Sequence, residues 1–342
     1  MRAYEIKITD QDGNPKVVKD PKTGAVLFNG TWSSFQGNKS SGTYNLNALH
    51  CEFDLPVSVI GSPLGGAYFR IYGVGLPLLG QSSNFNPSID YSTYCNIVIS
   101  AGMAGGLPLA NPKQYGQIMA AQITQSLGNW QGTSQTLDLI MNAPLGSSQN
   151  PRNLQFQCNI GSSFSEAIKN SLSNGFKGIK VNVNISDKLI APETITQSNV
   201  DLTSLSKFLS EKSISILGNL YSGVKISFQN GEINVYDDTY IASSSPISIQ
   251  FQDLIGQPTW IGTKTLVFKT VMRFDLKVGG AITMPIKSQQ LGQVLQIASA
   301  GTQYKNQSDF QGNFQIQMVR QIGSFRSPDA NNWVTVIQAY MI

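Results

Sequence analysis

Residues 246–333 set the tightest limit on the possible folds, because apolar and polar residues alternate along this run and glycines or prolines interrupt the alternation. Alternation with a period of two predicts strands that bury one face. Gly279 and Gly280 are predicted to supply a turn with positive φ, and Trp260 is predicted to anchor an earlier turn by burial. The predicted strands cover residues 247–251, 266–278, 281–284, 314–323 and 333–340. Together they predict a closed β unit.

Residues 1–144 carry a second set of alternating patterns and predict about seven short strands. The clearest pattern is at residues 49–55, where Cys51 and Phe53 face the core and the polar residues between them face outward. This region shows no convincing helical period, and residues 76–93 are predicted to form a loop. A first β domain, similar in character to the last, is therefore predicted.

The middle of the chain, residues 145–245, differs because helical and strand patterns occur together there. A linker is predicted at 145–151, a helix capped by Ser163 follows it, and a second helix is predicted at 203–212. Asn230 and Gly231 stand between two alternating runs, which predicts a type I′ hairpin with positive φ at both residues. A weak repeat relates residues 176–183 to 221–228. We therefore predict a mainly β protein of three domains: 1–144 (β), 145–245 (small α+β) and 246–342 (β).

Charged residues make up only 13% of the chain, about half of the roughly 25% that is typical of globular proteins. The net charge of +4 without a basic cluster does not indicate nucleic-acid binding. The first residues are predicted to form a strand and not a signal peptide, and no apolar run is long enough to span a membrane. Cys51, Cys95 and Cys158 lie in apolar runs and are predicted to be reduced core residues of a protein made in a cytoplasm. A soluble subunit packed into an assembly fits this composition.

The single histidine, His50, limits the catalytic and metal sites that the chain could build. His50 shares a predicted strand face with Glu52 and Asp54, at a spacing of about 6.6 Å per pair, which would suit a metal ion. A solvated or interface-facing strand side gives the same pattern. We prefer this second interpretation, because no further cluster of ligands is visible in the sequence.

Two sequence motifs resemble parts of known catalytic sites. Ser204 and Lys207 match the S-x-x-K motif of penicillin-binding enzymes, and Lys22 to Gly24 matches their K-T-G motif. The two motifs occur here in the reverse order. Ser204 and Lys207 are therefore interpreted as a solvent-facing part of the second helix.

Three further candidates also have plainer interpretations. The glycine-rich run from Gly102 to Gly106 lacks a phosphate-binding lysine and is interpreted as a turn. Asp237 and Asp238 are predicted to be hydrated at the end of a hairpin, and Trp130 is predicted to be a buried turn anchor. We therefore predict no catalytic, cofactor or metal site, which leaves an assembly subunit or a binding module.

Several runs resemble the central baseplate hub proteins of contractile-tailed bacteriophages and the related spike-base proteins of type VI secretion. In the last domain these are DLIGQPTW at 253–260, LVFKTVMRFDLKVGGAITMP at 266–285 and GNFQIQMVRQIGSFRSPDANNWVTV at 312–336. In the first domain they are the strand at 49–55, GMAGGLPLANP at 102–112 and GQIMAAQITQSLGNWQGTSQTLDL at 116–139. The chain departs from the family in a longer polar segment at 286–309 and in having no appended lysozyme or peptidase domain. A cell-wall hydrolase is then expected to be a separate chain.

The resemblance implies two tube-like antiparallel β-barrel domains, similar to each other, with the small α+β domain between them in sequence. It implies a structural virion protein without enzymatic activity: a homotrimeric ring in the tail baseplate, assembled in the host cytoplasm as a late protein. The implied partners are tail tube or tube-initiator proteins with sixfold symmetry, a threefold central spike protein and neighbouring baseplate proteins. A carbohydrate-binding or adhesin-like β protein of the virion is the alternative, and it would expose clusters of aromatic residues.

Overall fold

The computed structural model describes residues 1–36, 43–58, 66–89, 93–104, 114–142, 154–176, 179–239, 245–284, 310 and 312–342. The fold is mainly β with a small helix-containing part in the middle of the sequence, so the predicted fold class is confirmed. The predicted linker at 145–151, Gly105, Gly106 and the polar segment 286–309 lie outside the described residues. Among the described residues, no helix has the length and apolar character needed to cross a membrane.

The first β segment, residues 1–142, contains a single-turn helix, α1 (Leu76–Leu79), where a loop was predicted. Pro77 favours the start of a helix, and Leu78 and Leu79 are buried, which explains the difference. A 3₁₀ turn at Ser82–Phe85 follows. The strands of this segment are β1 (Arg2–Thr9), β2 (Val17–Lys19), β3 (Val26–Asn29), β4 (Thr31–Ser33), β5 (Cys51–Ser58), β6 (Ala67–Tyr72), β7 (Cys95–Met103), β8 (Gly116–Gln131) and β9 (Ser134–Asn142).

The middle segment, residues 154–239, packs two helices on small sheets. Its elements are β10 (Leu154–Cys158), α2 (Phe164–Gly175), β11 (Lys180–Asn184), β12 (Ile195–Asn199), α3 (Leu202–Leu217), β13 (Lys225–Gln229) and β14 (Glu232–Tyr236). The predicted hairpin is confirmed, since Asn230 and Gly231 have φ of 56° and 79°. β11, β14 and β13 form one sheet, as the weak repeat suggested. β10 pairs with β12, which the sequence prediction missed although Leu154, Phe156 and Cys158 alternate with polar residues.

The last β segment, residues 245–342, differs from its prediction in two places. The strand predicted at 247–251 is limited to two residues and is followed by a 3₁₀ turn at Phe251–Asp253. The strand predicted at 266–278 ends at Val271, and residues 272–280 form a largely buried connector, whose alternating apolar and polar residues from 272 to 278 mimic a strand. The strands are β15 (Ile247–Ser248), β16 (Thr259–Gly262), β17 (Thr265–Val271), β18 (Ala281–Met284), β19 (Gly312–Ser324) and β20 (Trp333–Met341).

The two β segments repeat the same strand order. Hydrogen-bonded neighbours run β1-β7-β8-β9-β6-β5 in the first segment and β15-β18-β19-β20-β17-β16 in the last. Numbered by their place among these six strands, both orders read first, fourth, fifth, sixth, third, second. The segments differ in that β15 pairs with β18 in parallel, whereas β1 and β7 are antiparallel, and in the additional strand β4 beside β1. The likeness predicted for the two β units thus extends to their topology.

The two β segments also form one continuous sheet of 13 strands, because β5 pairs with β19. In the described residues the main path of this sheet runs from β16 to β4, so the barrel closure predicted for each unit stays a prediction. Two of the hydrophobic cores also contain residues from both β segments. Met272 and Trp333 of the last segment lie in the core of the first, and Val57 of the first lies in the core of the last. The domain bounds at 144 and 245 likewise stay predictions.

The three cysteines are buried and free, as predicted. Cys51 and Cys95 lie in the first core, and Cys158 lies in the core of the middle segment. Burial raises the pKa of all three thiols.

Candidate functional site: the seam between the two β segments

The pairing of β5 with β19, which we call the seam, fixes the two β segments side by side. Seven register pairs run antiparallel from Glu52↔Ser324 to Ser58↔Met318. β19 pairs with β18 over its first residues and takes β5 as its neighbour only beyond a bulge between Ile316 and Met318. A bulge bends a strand and redirects its edge, so it allows this change of partner. Gly323 lies opposite Phe53, where a Cβ atom would overlap the phenyl ring.

The inner side of the seam is an aromatic cluster. Trp333 packs edge-on against Phe53 at 5.4 Å and against Phe325 at 6.2 Å between ring centroids. Phe325 in turn contacts Tyr4 at 4.8 Å. The indole N–H of Trp333 donates to the Gly102 carbonyl at 3.1 Å, so the last strand of the chain is bound to the first β segment by packing and by a hydrogen bond.

The outer side of the seam contains the face predicted from His50, Glu52 and Asp54. Asp54 accepts a bidentate pair of hydrogen bonds from Arg320 on β19, with Nε to Oδ1 at 2.7 Å. Glu52 accepts from Tyr72 Oη at 2.7 Å and from Ser324 Oγ at 3.2 Å. Each carboxylate therefore bridges β5 to a neighbouring strand.

His50 lies at the edge of the same network. Its Nδ1 accepts from the Arg326 amide at 3.2 Å, its Nε2 lies 3.4 Å from Glu52 Oε1, and its ring stacks on Tyr72 at 4.9 Å. Burial acts to raise the pKa of Glu52, but the hydrogen bonds from Tyr72 and Ser324 and the nearby His50 leave it below its usual value. Among the described residues no group of three His, Cys, Asp or Glu side chains could hold a metal ion. The hydrogen bonds of Asp54 with Arg320 and of Glu52 with Ser324 make this face an interface between two parts of one chain.

The next strands carry a second charged group, centred on Asp138. Arg70 donates to both carboxylate oxygens at 2.5 and 2.9 Å, and Tyr68 Oη and Asn129 Nδ2 donate at 3.1 and 2.9 Å. The Asp138 side chain is only 6% exposed. Burial acts to raise its pKa, but the hydrogen bonds from Arg70 and Tyr68 outweigh burial and hold the pKa below its ordinary value.

Replacing Asp138 by asparagine is expected to lower the free energy of unfolding at neutral pH by about 1.5–3 kcal/mol, the range for hydrogen bonds to charged groups. Because the folded-state pKa of Asp138 is depressed, this stabilisation is complete above the unfolded pKa of about 3.9 and is lost as the pH falls through the folded value. The stability difference between wild type and D138N in urea unfolding should therefore shrink in acid. The exposed Asp187→Asn is the control. A difference that stays constant into acid would contradict this assignment.

The connector, residues 272–280, holds a buried arginine at the junction of the segments. The Arg273 side chain is 5% exposed and donates to Asp275 through Nε and Nη2, both at 2.6 Å, and to Asp253 through Nη1 at 3.1 Å. Its backbone N–H donates to Thr335 Oγ1 at 3.0 Å, and its carbonyl accepts from Gln321 Nε2 at 3.0 Å. Desolvation alone would lower the pKa of Arg273, but the two aspartates raise it above its ordinary value.

The middle segment is held against this connector by the β13–β14 hairpin. Gln229 is buried and makes two hydrogen bonds to the connector backbone: its Nε2 donates to Leu276 O at 3.3 Å and its Oε1 accepts from Val278 N at 2.8 Å. The Asn230 carbonyl accepts from Gln117 Nε2 of β8 at 2.7 Å. One hairpin therefore contacts both β segments.

Replacing Gln229 by alanine is expected to cost about 1–3 kcal/mol of unfolding free energy, because it leaves the Val278 amide and the Leu276 carbonyl buried without a partner. Chemical denaturation measures this effect. The exposed strand residue Gln155→Ala is the matched control and should change stability by less than about 0.5 kcal/mol. Equal effects of the two substitutions would show that the Gln229 contacts do not stabilise the junction.

The structure gives the other sequence candidates structural roles. Ser204 completes the capping box of α3 with Asp201: its amide donates to Asp201 Oδ1 at 2.7 Å, and its Oγ accepts from the Asp201 amide at 3.2 Å. Lys22 and Gly24 lie in a turn organised by Asp20. The prediction that both aspartates at 237 and 238 are hydrated is wrong for Asp237, which is buried and accepts from Tyr221 Oη and the Ser186 amide, both at 2.7 Å.

Two further predictions concern β7 and β8. Gly102 lies inside β7, where a turn was predicted. Trp130, predicted to be buried, is 65% exposed near the end of the β8–β9 hairpin, and its indole donates only to Gly132 O of the same hairpin at 2.9 Å. β7 pairs with β8 only as far as Ile123, so β9 is the one described strand that pairs with the outer half of β8, which also contacts Ser82 and Asn86 through Ser126. The expected burial fails for this reason.

Comparison with known proteins identifies similar structures but no family. No protein-family model matches the chain, and no curated protein matches it. A tail protein from Neisseria meningitidis MC58 has 10% identity and a TM-score of 0.47, with 98% of this chain and 96% of that chain covered. A 43 kDa tail protein of prophage MuSo2 from Shewanella oneidensis has 8% identity and a TM-score of 0.48, covering 99% and 98%. The E. coli c3393 protein, a type VI secretion component structurally similar to T4 bacteriophage tail proteins gp27 and gp5, has 10% identity and a TM-score of 0.48, covering 87% and 75%.

Proposed function

We propose that this chain is a structural, non-enzymatic subunit of a phage-type tail baseplate: a homotrimeric hub that joins a sixfold tail tube to a threefold central spike. The observation that carries the proposal is the repeated strand order of the two β segments, held side by side by the seam. In this proposal residues 1–144 and 246–342 act as two equivalent tube-like β-barrel units, and residues 145–245 form the domain attached to them.

The proposal explains how a sixfold tail tube can be joined to a threefold spike. Two equivalent units per chain, repeated around a threefold axis, give six similar surfaces on one side of a ring and three copies of the middle domain. Such a ring needs the two units of one chain to keep a fixed relation. The ladder of the seam and the Trp333 cluster support that rigidity because they join the first segment to the last, and the Arg273 network supports it by fixing the connector between β17 and β18.

The low share of charged residues, 13%, supports a subunit that is covered by neighbours on several sides. The proposed neighbours are further copies of this chain, tail tube or tube-initiator proteins, a spike protein and other baseplate proteins. The proposed location is the tail baseplate of a virion, assembled in the cytoplasm of the host.

Light scattering coupled to gel filtration tests the oligomeric part of the proposal. The expected mass is three times the chain mass of 37.1 kDa, and it should persist on hundredfold dilution. A monomer at every concentration would contradict the hub assignment, as would a stable dimer, because neither can match six surfaces to a threefold spike.

A further inference from the structure

A polar cleft in the middle segment lies along one edge of β11. The cleft has a volume of about 530 Å³ and is lined by every residue of β11, from Lys180 to Asn184, together with Glu232, Asn234 and Lys277. Side chains alternate between the two faces of a strand, so a cleft confined to one face would be lined by alternate residues only. This cleft therefore follows the backbone edge of β11 as well as its polar face.

β11 is an outer strand of its sheet. The strand order is β11-β14-β13, and in the described residues β11 pairs only with β14. The other outer strand, β13, differs because Gln229 at its end is hydrogen-bonded to the connector. The register between β11 and β14 runs from Lys180↔Glu232 to Asn184↔Tyr236 without a shift. A regular, unpaired edge of this kind presents backbone N–H and C=O groups to an added strand.

The side chains of β11 offer two different surfaces to an added strand. Val181 and Val183 pack against the core of the middle segment but are only partly buried. Lys180, Asn182 and Asn184 alternate with them and lie on the polar face. Neighbouring strands place their side chains beside each other on each face. An added strand would therefore need apolar residues on one face and polar residues on the other.

Two lysines surround a single carboxylate in the cleft. Lys180 Nζ donates to Glu232 Oε1 and Asn182 Nδ2 donates to Glu232 Oε2, both at 3.1 Å. Burial acts to raise the pKa of Glu232, but the hydrogen bond from Lys180 and the charge of Lys277 help to hold this pKa below its ordinary value. Both carboxylate oxygens are thus engaged, and the exposed Lys277 supplies a positive charge beyond that of the ion pair.

Lys180 does not block the edge of β11. Lysines on outer strands commonly prevent pairing, because they place a charge where a further strand would lie. Here the ammonium group of Lys180 is bonded to Glu232 of β14, so the side chain is directed over its own sheet. Asn182 is held in the same direction, since its Nδ2 also donates to Asn234 Oδ1 at 2.9 Å. These contacts leave the backbone of β11 accessible.

We propose that β11 is a docking strand for an extended, acidic segment of a partner protein, which adds to the sheet along this edge. Apolar side chains of the segment cover Val181 and Val183, and its carboxylates lie against Lys180 and Lys277. In strand addition, backbone hydrogen bonds give affinity and alternate side chains give selectivity. A second copy of this chain suits the edge less well, because it would bring the same excess of positive charge. The inference goes beyond the proposed function and does not depend on the number of chains in the hub.

Binding of synthetic peptides to the full chain tests this docking strand. The probe is the fluorescently labelled peptide Thr-Val-Glu-Val-Glu-Val-Thr, which has the required alternation. Fluorescence anisotropy should give a Kd below about 1 mM. The same peptide with lysine in place of glutamate should bind at least about tenfold more weakly. N-methylation of the central Glu-Val-Glu should abolish binding, because it removes the backbone donors that strand addition needs.

Charge reversal in the protein provides the matched test. Combining Lys180→Glu with Lys277→Glu should weaken binding of the acidic peptide at least about tenfold and should favour the lysine peptide. Lys207→Glu reverses an exposed charge on α3 and should leave both affinities unchanged. Circular dichroism checks the fold of each variant. If the double variant does not fold, Lys277→Ala keeps the ion pair of Lys180 with Glu232 and should still weaken the acidic peptide about threefold or more.

Each outcome supports or overturns the inference. Binding that depends on both lysines and on the peptide backbone supports it. The absence of binding at about 1 mM, equal binding of the N-methylated peptide, or an equal loss in Lys207→Glu overturns it. A change of oligomeric mass in the double variant, without peptide binding, assigns the edge to a second copy and also overturns it. Light scattering of the unmodified chain tests the hub separately, so failure of one proposal can be told from failure of the other.

Discussion

Arg273→Ala is expected to lower the free energy of unfolding by about 3–5 kcal/mol, because it leaves two carboxylates without their cation at a buried site. The Arg273 side chain is 5% exposed, and Asp253 and Asp275 are 13% and 30% exposed. The substitution also removes charged hydrogen bonds from the connector that joins β17 to β18. Urea denaturation, followed by circular dichroism, measures the change in midpoint.

Arg320→Ala is the matched control for Arg273. It removes an arginine–aspartate pair of similar geometry across the seam, but Arg320 and Asp54 are 46% and 39% exposed. Solvent screens such a pair, so a loss of about 0–1 kcal/mol is expected. Comparable losses of unfolding free energy in the two variants would mean that the burial of Arg273 does not make its ion pairs more stabilising than an exposed pair.

Trp333→Ala is expected to cost about 3–5 kcal/mol, the range for truncating a large buried aromatic residue. Trp333 is 2% exposed, contacts Phe53 and Phe325, and donates its indole N–H to Gly102 O. Its removal opens a cavity where the last β segment meets the core of the first, and leaves the Gly102 carbonyl without this donor. The unfolding midpoint should fall accordingly.

Trp130→Ala is the matched control, because the same side chain is removed from the exposed end of a hairpin. It should change the stability of the folded chain by less than about 0.5 kcal/mol. In this account the contacts of the seam stabilise the chain and the exposed hairpin does not. A large loss of stability in Trp130→Ala, or a small loss in Trp333→Ala, would contradict it.

Local patterns in the sequence predicted much of the fold correctly. The Asn230-Gly231 turn follows from the positive φ that a type I′ hairpin demands, and it is present. The alternation at residues 49–55 correctly placed Cys51, Phe53 and Leu55 in the core. The helix cap predicted at Ser163 is present, where a polar residue precedes an apolar helical face. Each of these signals depends on residues close together in the chain.

Contacts between distant residues explain the errors. The connector alternates like a strand because Met272, Leu276 and Val278 are buried, yet their neighbours come from different segments and form no ladder. Trp130 was predicted to be buried, because the sequence does not show that β7 ends before it. Residue spacing cannot reveal which strand lies beside which edge.

The seam shows the same difference between local sequence patterns, which can be predicted, and contacts between distant residues, which cannot. The sequence placed His50, Glu52 and Asp54 on one polar face, but their partners Arg320 and Arg326 lie more than 260 residues away. Arg273 and Asp275 left a signal that was missed: two opposite charges, two residues apart, within the otherwise apolar run VMRFDL at 271–276. Such a pair in a predicted core indicates a buried ion pair.

Negative-stain electron microscopy of the purified full chain tests whether the repeated β units build a hub. If two equivalent units per chain close around a threefold axis, class averages viewed along that axis should show a ring of six similar peripheral lobes. The middle segments should break the symmetry to threefold. Separate globular particles, or rings whose number of lobes is not six, would contradict the hub.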